Sequence, residues 1–314
     1  MRKRLSFNTE GGSTVIDISG VTKIYESERA VDSLTMQVQQ GSIFGLLGSN
    51  GAGKTTLLKM LAGIIRPDEG TITLEGRAIY EQPEMKRRVM FVPDSPYFFP
   101  QSNLRQMADF YRSIYSSWSE ERYSQLSSIF KLDPRRKLHR MSKGMRRQAA
   151  FWLALSTSPD LLILDEPIDG LDPVMRRHMK NLLFQYAAER QMTVVISSHN
   201  LREIEDMCDH VGIMHKGSLL LHKEIDDLRG DIHKIQVAFK ESTHLDALEQ
   251  QLDILHKEQR GTVLLYIVRG DQIRIKDVFA SYHPLVMDLL PLTLEEIFIY
   301  EMGDAGYVIQ PILL

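Results

Sequence analysis

The sequence contains little cysteine and no long apolar run, and both shortages narrow the classes of protein it can encode. Its 314 residues include a single cysteine, Cys208, which excludes a disulfide within the chain and a metal site built from several cysteines. No apolar stretch approaches the roughly 20 residues that a membrane-spanning helix requires. Any work at a membrane is therefore expected to pass through another protein.

The sequence also lacks an excess of basic charge. It has 38 lysines and arginines against 41 aspartates and glutamates, a formal net charge of -3, and so carries no overall signature of nucleic-acid binding. Its basic start, residues 1–4, leads into polar residues and two glycines without an apolar segment, which is not the pattern of a secretory signal. We expect residues 1–12 to form a flexible tail.

Strand-like and helix-like segments alternate from about Val15 to Lys223. This alternation predicts an α/β fold with a largely parallel sheet. The pattern changes near Gly230, and no internal repeat or second copy of a motif follows. We therefore expect the α/β domain to occupy residues 13–228.

Beyond this domain the chain is expected to form a small α+β appendage over residues 229–314. The segments that suggest it are strand-like at 235–239 and 263–268, helix-like at 245–252 and apolar at 285–290. A last helix is predicted to start at Thr293, whose hydroxyl can accept from the N–H of Glu296 in a capping box. The role of the appendage stays open between dimerisation, regulation of turnover and covering a surface.

A glycine-rich loop follows an apolar, strand-like run at residues 42–47. The loop reads GSNGAGKT over residues 48–55 and leads into the helix-like segment 56–63, which is the strand, loop and helix order that the pattern G-x-x-x-x-G-K-[ST] requires. Its glycines let consecutive backbone N–H groups point at phosphate oxygens at a helix N-terminus. The residues expected to bind a nucleotide here are Gly48, Ser49, Asn50, Gly51, Ala52, Gly53, Lys54, Thr55 and Thr56.

Four side chains are expected to contact the reacting end of ATP and its Mg²⁺. Lys54 supplies a compact positive charge to the β- and γ-phosphates, and Thr55 places its hydroxyl on Mg²⁺. The other two follow the apolar run 161–164, which has the pattern of a buried strand. Asp165 is placed to hold Mg²⁺ through its water shell, and Glu166 to polarise the attacking water as a general base.

A histidine follows a further strand-like run, residues 193–196. A histidine at the end of a strand is usually structural when it stands alone. Here a parallel sheet would bring His199 to the same carboxyl edge as Gly48 and Asp165, where ligands bind. We therefore expect His199 to belong to the same site.

The segment MSKGM, residues 141–145, lies between the glycine-rich loop and the acidic pair and precedes a helix-like segment. It is similar to the signature L-S-G-G-Q, and with the motifs above it makes the chain resemble the ABC transporter ATPase family over roughly residues 15–223. The resemblance implies an α/β P-loop NTPase core of the ABC type with antiparallel β and helical subdomains. It also implies that Tyr25 stacks on adenine, that Asp172 belongs to the D-loop 170–172, and that His199 contacts the γ-phosphate.

The resemblance also implies ATP and Mg²⁺ as cofactors and a dimer as the working form. In this family the signature of one subunit closes over ATP on the phosphate loop of the other, so Ser142 and Gly144 would act across the interface. The dimer partner is either a second copy of the chain or a close relative, beside a separate transmembrane permease. We expect the chain at the cytoplasmic face of the cell membrane, held there by its membrane partner, and we expect no nucleic acid.

The chain departs from the family pattern at two places. Lys143 and Met145 replace the glycine and the glutamine of the signature. Asp94 stands where the family usually has a glutamine that approaches Mg²⁺ and the attacking water. We expect Asp94 at the metal, where its charge either ligates Mg²⁺ more strongly or positions the water less well. These variants, with LEEIF at residues 294–298, resemble bacterial exporter ATPases of the antimicrobial-peptide and acetoin type.

Three further features each allow two interpretations. A basic cluster over residues 135–147 favours contact with nucleotide phosphate or a subunit interface over contact with nucleic acid. Three adjacent aromatics, residues 97–99, cannot all face one core, so they form either an exposed docking patch for a membrane subunit or a packed loop. Other aromatics recur at roughly helical spacing and predict the core of a helical subdomain. They are Phe110, Tyr111, Tyr115, Trp118, Tyr123 and Phe130.

The main alternative function is that of a soluble ABC ATPase acting on ribosomes or DNA. Translation-factor types usually carry two ATPase cores in one chain, and chromosome types insert long coiled coils before the signature; the sequence has neither. A P-loop kinase or GTPase is disfavoured by the signature and by the lack of an Asn-Lys-x-Asp motif for guanine. The sequence thus predicts an ATP-hydrolysing subunit that energises a separate permease for export.

Overall fold

The computed structural model describes residues 13–240 and 245–304 of the chain. The expected flexible tail, residues 1–12, lies outside the described residues. The chain divides into two compact units, of which the first ends at His222 and the second begins at Lys223. This division precedes the domain boundary that we placed after residue 228.

The first unit alternates strands and helices along the chain. In chain order its strands are β1 (Thr14–Tyr25), β2 (Glu28–Gln39), β3 (Ile43–Leu47), β4 (Glu69–Leu74), β5 (Arg77–Ala78), β6 (Val89–Val92), β7 (Leu161–Asp165), β8 (Thr193–Ser198), β9 (His210–His215) and β10 (Ser218–Glu224), whose last two residues belong to the second unit. Its helices are α1 (Lys54–Leu61), α2 (Pro83–Lys86), α3 (Leu104–Ile114), α4 (Glu120–Phe130), α5 (Lys143–Ser156), α6 (Pro173–Arg190) and α7 (Leu201–Glu205).

The central sheet of this unit has the strand order β10-β9-β3-β8-β7-β6 in the described residues. Strand β3 pairs in parallel with β8 and β9, and β7 pairs in parallel with β6 and β8. Every residue of β3, β7 and β8 is buried, the pattern of parallel strands that are covered on both faces. Their carboxyl ends, at Leu47, Asp165 and Ser198, therefore meet at one edge of the sheet.

A second sheet, of order β2-β1-β4-β5, is antiparallel. Alternate residues of β1, such as Ile16 and Ile18, are buried in one hydrophobic core with Leu57 of α1 and Phe44 of β3. The hairpin between β1 and β2 pairs Tyr25 with Glu28. The core thus fixes this hairpin beside the start of α1.

Helices α3, α4 and α5 begin at side-chain caps, namely Asn103, Ser119 and Ser142. Helix α4 packs on α5 around Trp152, which is fully buried and stacks on Tyr123 with ring centroids 4.9 Å apart. The indole N–H of Trp152 donates to the carbonyl oxygen of Tyr123 at 2.9 Å. Of the aromatics predicted for this core, Phe130 is buried, Phe110 is exposed and the other four are half-buried.

The second unit is an antiparallel sheet with helices. Its elements are α8 (Ile225–Asp231), β11 (Ile232–Ala238), α9 (Asp246–Glu249), β12 (Asp253–Arg260), β13 (Val263–Arg269), α10 (Gln272–Ser281), β14 (Val286–Leu290) and α11 (Leu294–Asp304). The strand order is β12-β13-β11-β14. Its core is formed by Ile235, Val237, Leu248, Leu264, Tyr266, Val268, Ile275 and Phe279.

The sequence predicted this unit only in part. The helix expected over 245–252 is one turn at Asp246–Glu249, and strand β12 and helix α10 were not predicted. The capping box at the last helix is confirmed, because Glu296 N donates to Thr293 Oγ1 at 3.2 Å and Thr293 N donates to the Glu296 carboxylate at 3.0 Å. Among the residues described, no helix is both long and apolar enough to cross a membrane.

Candidate active site

The glycine-rich loop lies between β3 and α1, as the motif requires. Gly53 precedes α1 with φ 101°, a left-handed conformation, and a Cβ added there would clash with the carbonyl oxygen of Ala30. A Cβ added at Gly48 would lie 2.6 Å from the carbonyl oxygen of Met214. The backbone of the loop therefore packs against other backbone at both positions, and any residue larger than glycine would force the neighbouring chain to move.

Lys54 is a buried lysine whose ammonium group turns back onto its own loop. Its Nζ donates to the carbonyl oxygens of Gly48 at 2.6 Å and Ser49 at 3.3 Å. It also lies 3.4 Å from Glu166 Oε1. The structure thus brings the lysine of the loop and the acidic residue after β7 to one place, as expected from the parallel sheet.

Asp165 is a buried carboxylate that is bonded from two sides. Thr55 Oγ1 donates to its Oδ2 at 2.8 Å, and Ser197 Oγ donates to its Oδ1 at 2.6 Å. Asp165 and Ser197 are neighbours in the parallel register of β7 and β8. The sequence did not identify Ser197 as part of the site, because its contact depends on which strand lies beside β7.

Glu166 lies at the centre of the candidate active site. Its backbone has φ 48°, a left-handed conformation that costs a non-glycine residue energy and is common at functional sites. Its N–H donates to Ser197 Oγ at 3.0 Å, and its Oε2 lies 2.9 Å from His199 Nδ1. Lys54, Glu166 and His199 therefore converge, as the sequence predicted.

Tyr25 is exposed at the end of β1. Lys23 Nζ lies 5.6 Å from the centre of its ring. The same hairpin carries Ala30, whose carbonyl oxygen faces Gly53 of the glycine-rich loop. An exposed aromatic ring on a hairpin beside this loop is suited to stacking on a planar base.

Ser142 caps helix α5, and Met145 N donates to its Oγ at 3.2 Å. Gly144 lies in the first turn, where an added Cβ would meet only Gly170 O at 3.6 Å and Leu171 Cδ2 at 3.9 Å, both ordinary contacts. Packing within the chain therefore does not require glycine at position 144. In the described part of the chain, no hydrogen bond or ion pair joins Ser142 or Gly144 to residues 48–56.

Asp172 caps helix α6, and Met175 N donates to its Oδ1 at 3.0 Å. The side chain is exposed, so its carboxylate keeps acceptor capacity beyond the cap. The structure thus gives Asp172 a local role that the family resemblance did not include.

Asp94 lies in the loop after β6 and is paired with an arginine. Arg147 Nη2 donates to Asp94 Oδ1, and Arg147 Nε donates to the backbone oxygen of Asp94 at 3.1 Å. Ser95 Oγ donates to Asp94 Oδ2 at 3.3 Å. Arg147 belongs to the basic cluster that we expected at phosphate or a subunit interface, and the structure instead buries it at 3% exposure. A metal role for Asp94 stays a prediction.

The parallel sheet, the glycine-rich loop before α1 and the acidic pair at the end of β7 define a P-loop ATPase. A model of the ABC transporter family matches residues 31–169. The chain is 31% identical to ABC transporter ATP-binding protein YtrB of Bacillus subtilis, over 92% of this chain and 98% of that protein. It is 35% identical to Bacitracin transport ATP-binding protein BcrA of Bacillus licheniformis, over 90% of this chain and 94% of that protein.

A solved structure of an ATP-binding subunit of an ABC transporter superposes with a TM-score of 0.64 and 27% identity, over 69% of this chain and 92% of that chain. The chain belongs to the family of ABC transporter ATP-binding proteins. The family resemblance, the fold class and the ATPase activity that the sequence predicted are thereby confirmed.

Proposed function

We propose that this chain is the ATPase subunit of a bacterial exporter, in which two copies of the chain bind ATP between them and drive a separate transmembrane permease. One relative is named for bacitracin transport. Another, Nod factor export ATP-binding protein I of Cupriavidus metallidurans, is 33% identical over 82% of this chain and 87% of that protein. The proposal extends their transport and export function to this chain.

The observation that carries the proposal is the exposed signature at the start of α5. Ser142 is exposed, and among the described residues Gly144 has no neighbour that requires glycine. A missing Cβ, a serine hydroxyl and the N-terminus of a helix together suit close approach of a phosphate from outside the chain. Since this chain also carries a complete phosphate loop, two copies can complete two equal sites.

Each residue of the candidate active site has a proposed role. Tyr25 stacks on adenine, and the loop at residues 48–56 holds the phosphates. Glu166 accepts a proton from the attacking water, and His199 contacts the γ-phosphate. The 2.9 Å contact between Glu166 and His199 supports this assignment, because it orients both side chains toward the same place. Asp172 of each copy lies at the dimer interface.

Thr55 of α1 and Asp165 at the end of β7 fit a magnesium ion. The hydroxyl of Thr55 and the carboxylate of Asp165 lie side by side, and hard oxygen donors of this kind suit Mg²⁺. The described residues contain no group of three or more His, Cys, Asp or Glu side chains that could hold a metal by itself. Thr55 and Asp165 would therefore share the ion with ATP, and the ion would neutralise charge on the phosphates. Asp94, which the sequence also suggested as a ligand, is paired with Arg147 instead.

The permease is proposed to dock on the aromatic patch, defined as Tyr97, Phe98 and Phe99. Tyr97 is 76% exposed and Phe99 is 47% exposed, and Phe99 packs edge-on against Phe110 with centroids 4.7 Å apart. An exposed group of aromatic side chains is typical of a binding surface. Docking here would hold the chain at the cytoplasmic face of the membrane.

The test is to tag the chain in its native cell, solubilise it gently and identify stoichiometric partners by mass spectrometry. We expect a polytopic membrane protein. The double variant Tyr97→Ser and Phe99→Ser is expected to lose this partner and to keep its ATPase activity, since the patch is exposed. The matched control is Ile273→Ser, because Ile273 is similarly exposed, at 70%, on the second unit.

Two outcomes would contradict the proposed function. Ribosomal proteins or DNA as stoichiometric partners would favour the soluble ABC ATPase instead and would leave the ATPase assignment intact. A membrane partner that the patch variant and the control variant both retain would contradict the docking site alone.

A further inference from the structure

Arg147 is a buried arginine that the proposed catalytic steps do not use. It lies on α5, five residues after the capping Ser142. Besides its two bonds to Asp94, its Nη2 lies 3.7 Å from Asp169 Oδ2. One guanidinium group thus connects two carboxylates that belong to different loops.

The two loops leave neighbouring strands at the same edge of the central sheet. Val92, the last residue of β6, pairs in parallel with Leu164 of β7. Asp94 follows Val92 by two residues, and Asp169 follows the catalytic Glu166 by three. Arg147 therefore ties the helix that begins at the signature to the loop that carries the proposed general base.

A second cation from the same helix completes a four-charge cluster, defined as Asp94, Lys143, Arg147 and Asp169. Lys143 Nζ lies 4.0 Å from Asp94 Oδ1 and 3.8 Å from Asp169 Oδ2. Helix α5 thus supplies both cations, and the loops after β6 and β7 supply both anions. If α5 moves, opposite charges must separate or both loops must follow.

The burial of Arg147 makes the cluster sensitive to the loss of one member. Its Nη1 is buried without a hydrogen-bond partner in the part of the chain that the structure describes. A buried guanidinium that is only partly satisfied depends strongly on its remaining carboxylates. A stacked or solvated arginine would not fix the positions of two loops in this way.

The phosphate loop is held by other contacts. Its Gly48 and Gly53 pack against the backbone of Met214 and Ala30, and Gly217 N donates to Ala52 O at 3.0 Å. None of these residues belongs to the four-charge cluster. Binding of ATP to the phosphate loop of one copy is therefore separable from the cluster.

We propose that Arg147 is a positioning residue for ATP hydrolysis, which through Asp94 and Asp169 fixes the loop of Glu166 relative to the signature helix. In this role Arg147 acts through its two carboxylate partners rather than on ATP or the attacking water directly. Its carboxylate partners hold the loop of Glu166 at a fixed position relative to Ser142 at the start of α5. Closure of the signature over ATP and placement of the general base therefore occur together. Asp94 serves here as the anion of Arg147 rather than as a metal ligand.

The proposal rests on the ATPase activity within the proposed function. It predicts that loss of Arg147 slows ATP hydrolysis without weakening ATP binding. Arg147→Gln is expected to lower kcat about tenfold, because the loop of Glu166 loses its anchor. In a Glu166→Gln background, adding Arg147→Gln is expected to change the Kd of ATP by less than about twofold. Arg147→Lys, which keeps the charge, is expected to recover part of kcat.

Asp94 and Asp169 provide a second route that does not disturb a buried side chain, since both carboxylates are about half exposed. Asp169→Asn is expected to lower kcat, as Arg147→Gln does. The double variant Arg147→Gln with Asp94→Asn is expected to be no slower than the worse single variant, because both remove the same ion pair. The Mg²⁺ concentration for half-maximal activity is expected to stay unchanged in Asp94→Asn.

The matched control is Arg122→Gln. Arg122 is also a buried arginine, at 5% exposure, but it lies on α4 and stacks on Tyr186 with its guanidinium 4.4 Å from the ring centre. Its loss is expected to lower the melting temperature without a selective loss of kcat. A defect shared by Arg122→Gln and Arg147→Gln would indicate a structural role only.

Besides a defect shared with Arg122→Gln, three results would overturn the proposal. The first is a kcat within about twofold of wild type in Asp169→Asn and Arg147→Gln. The second is a multiplicative loss in the double variant, and the third is a raised requirement for Mg²⁺ in Asp94→Asn, which would make Asp94 a metal ligand. Failure to find a membrane partner would contradict the proposed function but would not affect these comparisons, which need only the ATPase.

Discussion

At the scale of single residues, the packing of the described chain requires glycine at positions 48 and 53 but not at position 144. Added Cβ atoms at Gly48 and Gly53 meet backbone oxygens of Met214 and Ala30. At Gly144 an added Cβ makes ordinary contacts only, and alanine is the better helix former. Under the proposed function, the missing side chain at position 144 leaves room for ATP bound to the other copy.

Gly144→Ala is therefore expected to lower the ATPase activity without lowering the stability of the fold. We expect a melting temperature that is unchanged or slightly raised, and an ATPase kcat lowered about tenfold, or roughly 1.4 kcal/mol of transition-state stabilisation. The measurements are thermal unfolding and steady-state ATP hydrolysis on one preparation. The control is Gly230→Ala, because Gly230 also lies in a helix and an added Cβ meets nothing within 4 Å. Equal activity of the two variants would argue against contact of Gly144 with ATP.

The site residues could be predicted from the sequence where they follow buried strands. Asp165 ends β7, Glu166 follows it and His199 follows β8, and a parallel sheet brings such positions together. Ser197 and Arg147 could not be assigned in this way. Their contacts depend on which strand lies beside β7 and on which face of α5 is buried, and neither follows from a local pattern.

At the scale of elements, the sequence predicted the buried apolar strands of the central sheet but not the charged strand β12. Strands β3, β7 and β8 are buried throughout, so their sequences are continuous apolar runs. Strand β12 has the sequence DILHKEQR and is mostly exposed at the edge of its sheet. A charged edge strand has no hydrophobic period that separates it from a loop.

Strand β10 carries His222, a histidine whose burial makes the stability of the fold depend on pH. Burial, with a contribution from nearby His210, lowers the pKa of His222 to about 4. The unfolded chain would take up this proton near pH 6.5, its ordinary value. Between these values the unfolded state binds more protons than the folded state, so stability decreases as the pH falls from about 6.5 towards 4.

His222→Leu is expected to make the free energy of unfolding less dependent on pH in this window, because leucine carries no proton. Urea unfolding followed by tryptophan fluorescence would report on the first unit, since both tryptophans, Trp118 and Trp152, lie there. The control is His139→Gln, at an exposed position, which should keep the wild-type dependence. If His222→Leu loses stability with falling pH as steeply as wild type, another group is responsible.

At the scale of the whole molecule, the proposed function assigns to one copy of the chain two halves of different sites. The phosphate loop, Asp165, Glu166 and His199 form one half, with their contacts formed within the chain. Ser142, which is exposed, and Gly144, which is partly exposed, would form the other half. Among the described residues, no hydrogen bond or ion pair joins them to residues 48–56. Dimerisation on ATP is the step that would join them, and hydrolysis would then separate the copies and move the permease.

The most direct test of this arrangement is the mass of the Glu166→Gln protein with ATP and Mg²⁺, measured by light scattering after size exclusion. We predict a dimer that retains ATP in both copies, because binding is intact and turnover is very slow without the carboxylate of Glu166. The same protein with Ser142→Arg added should stay monomeric. A monomer with bound ATP in the Glu166→Gln protein, or brisk hydrolysis by it, would contradict the two-copy site and the role of Glu166.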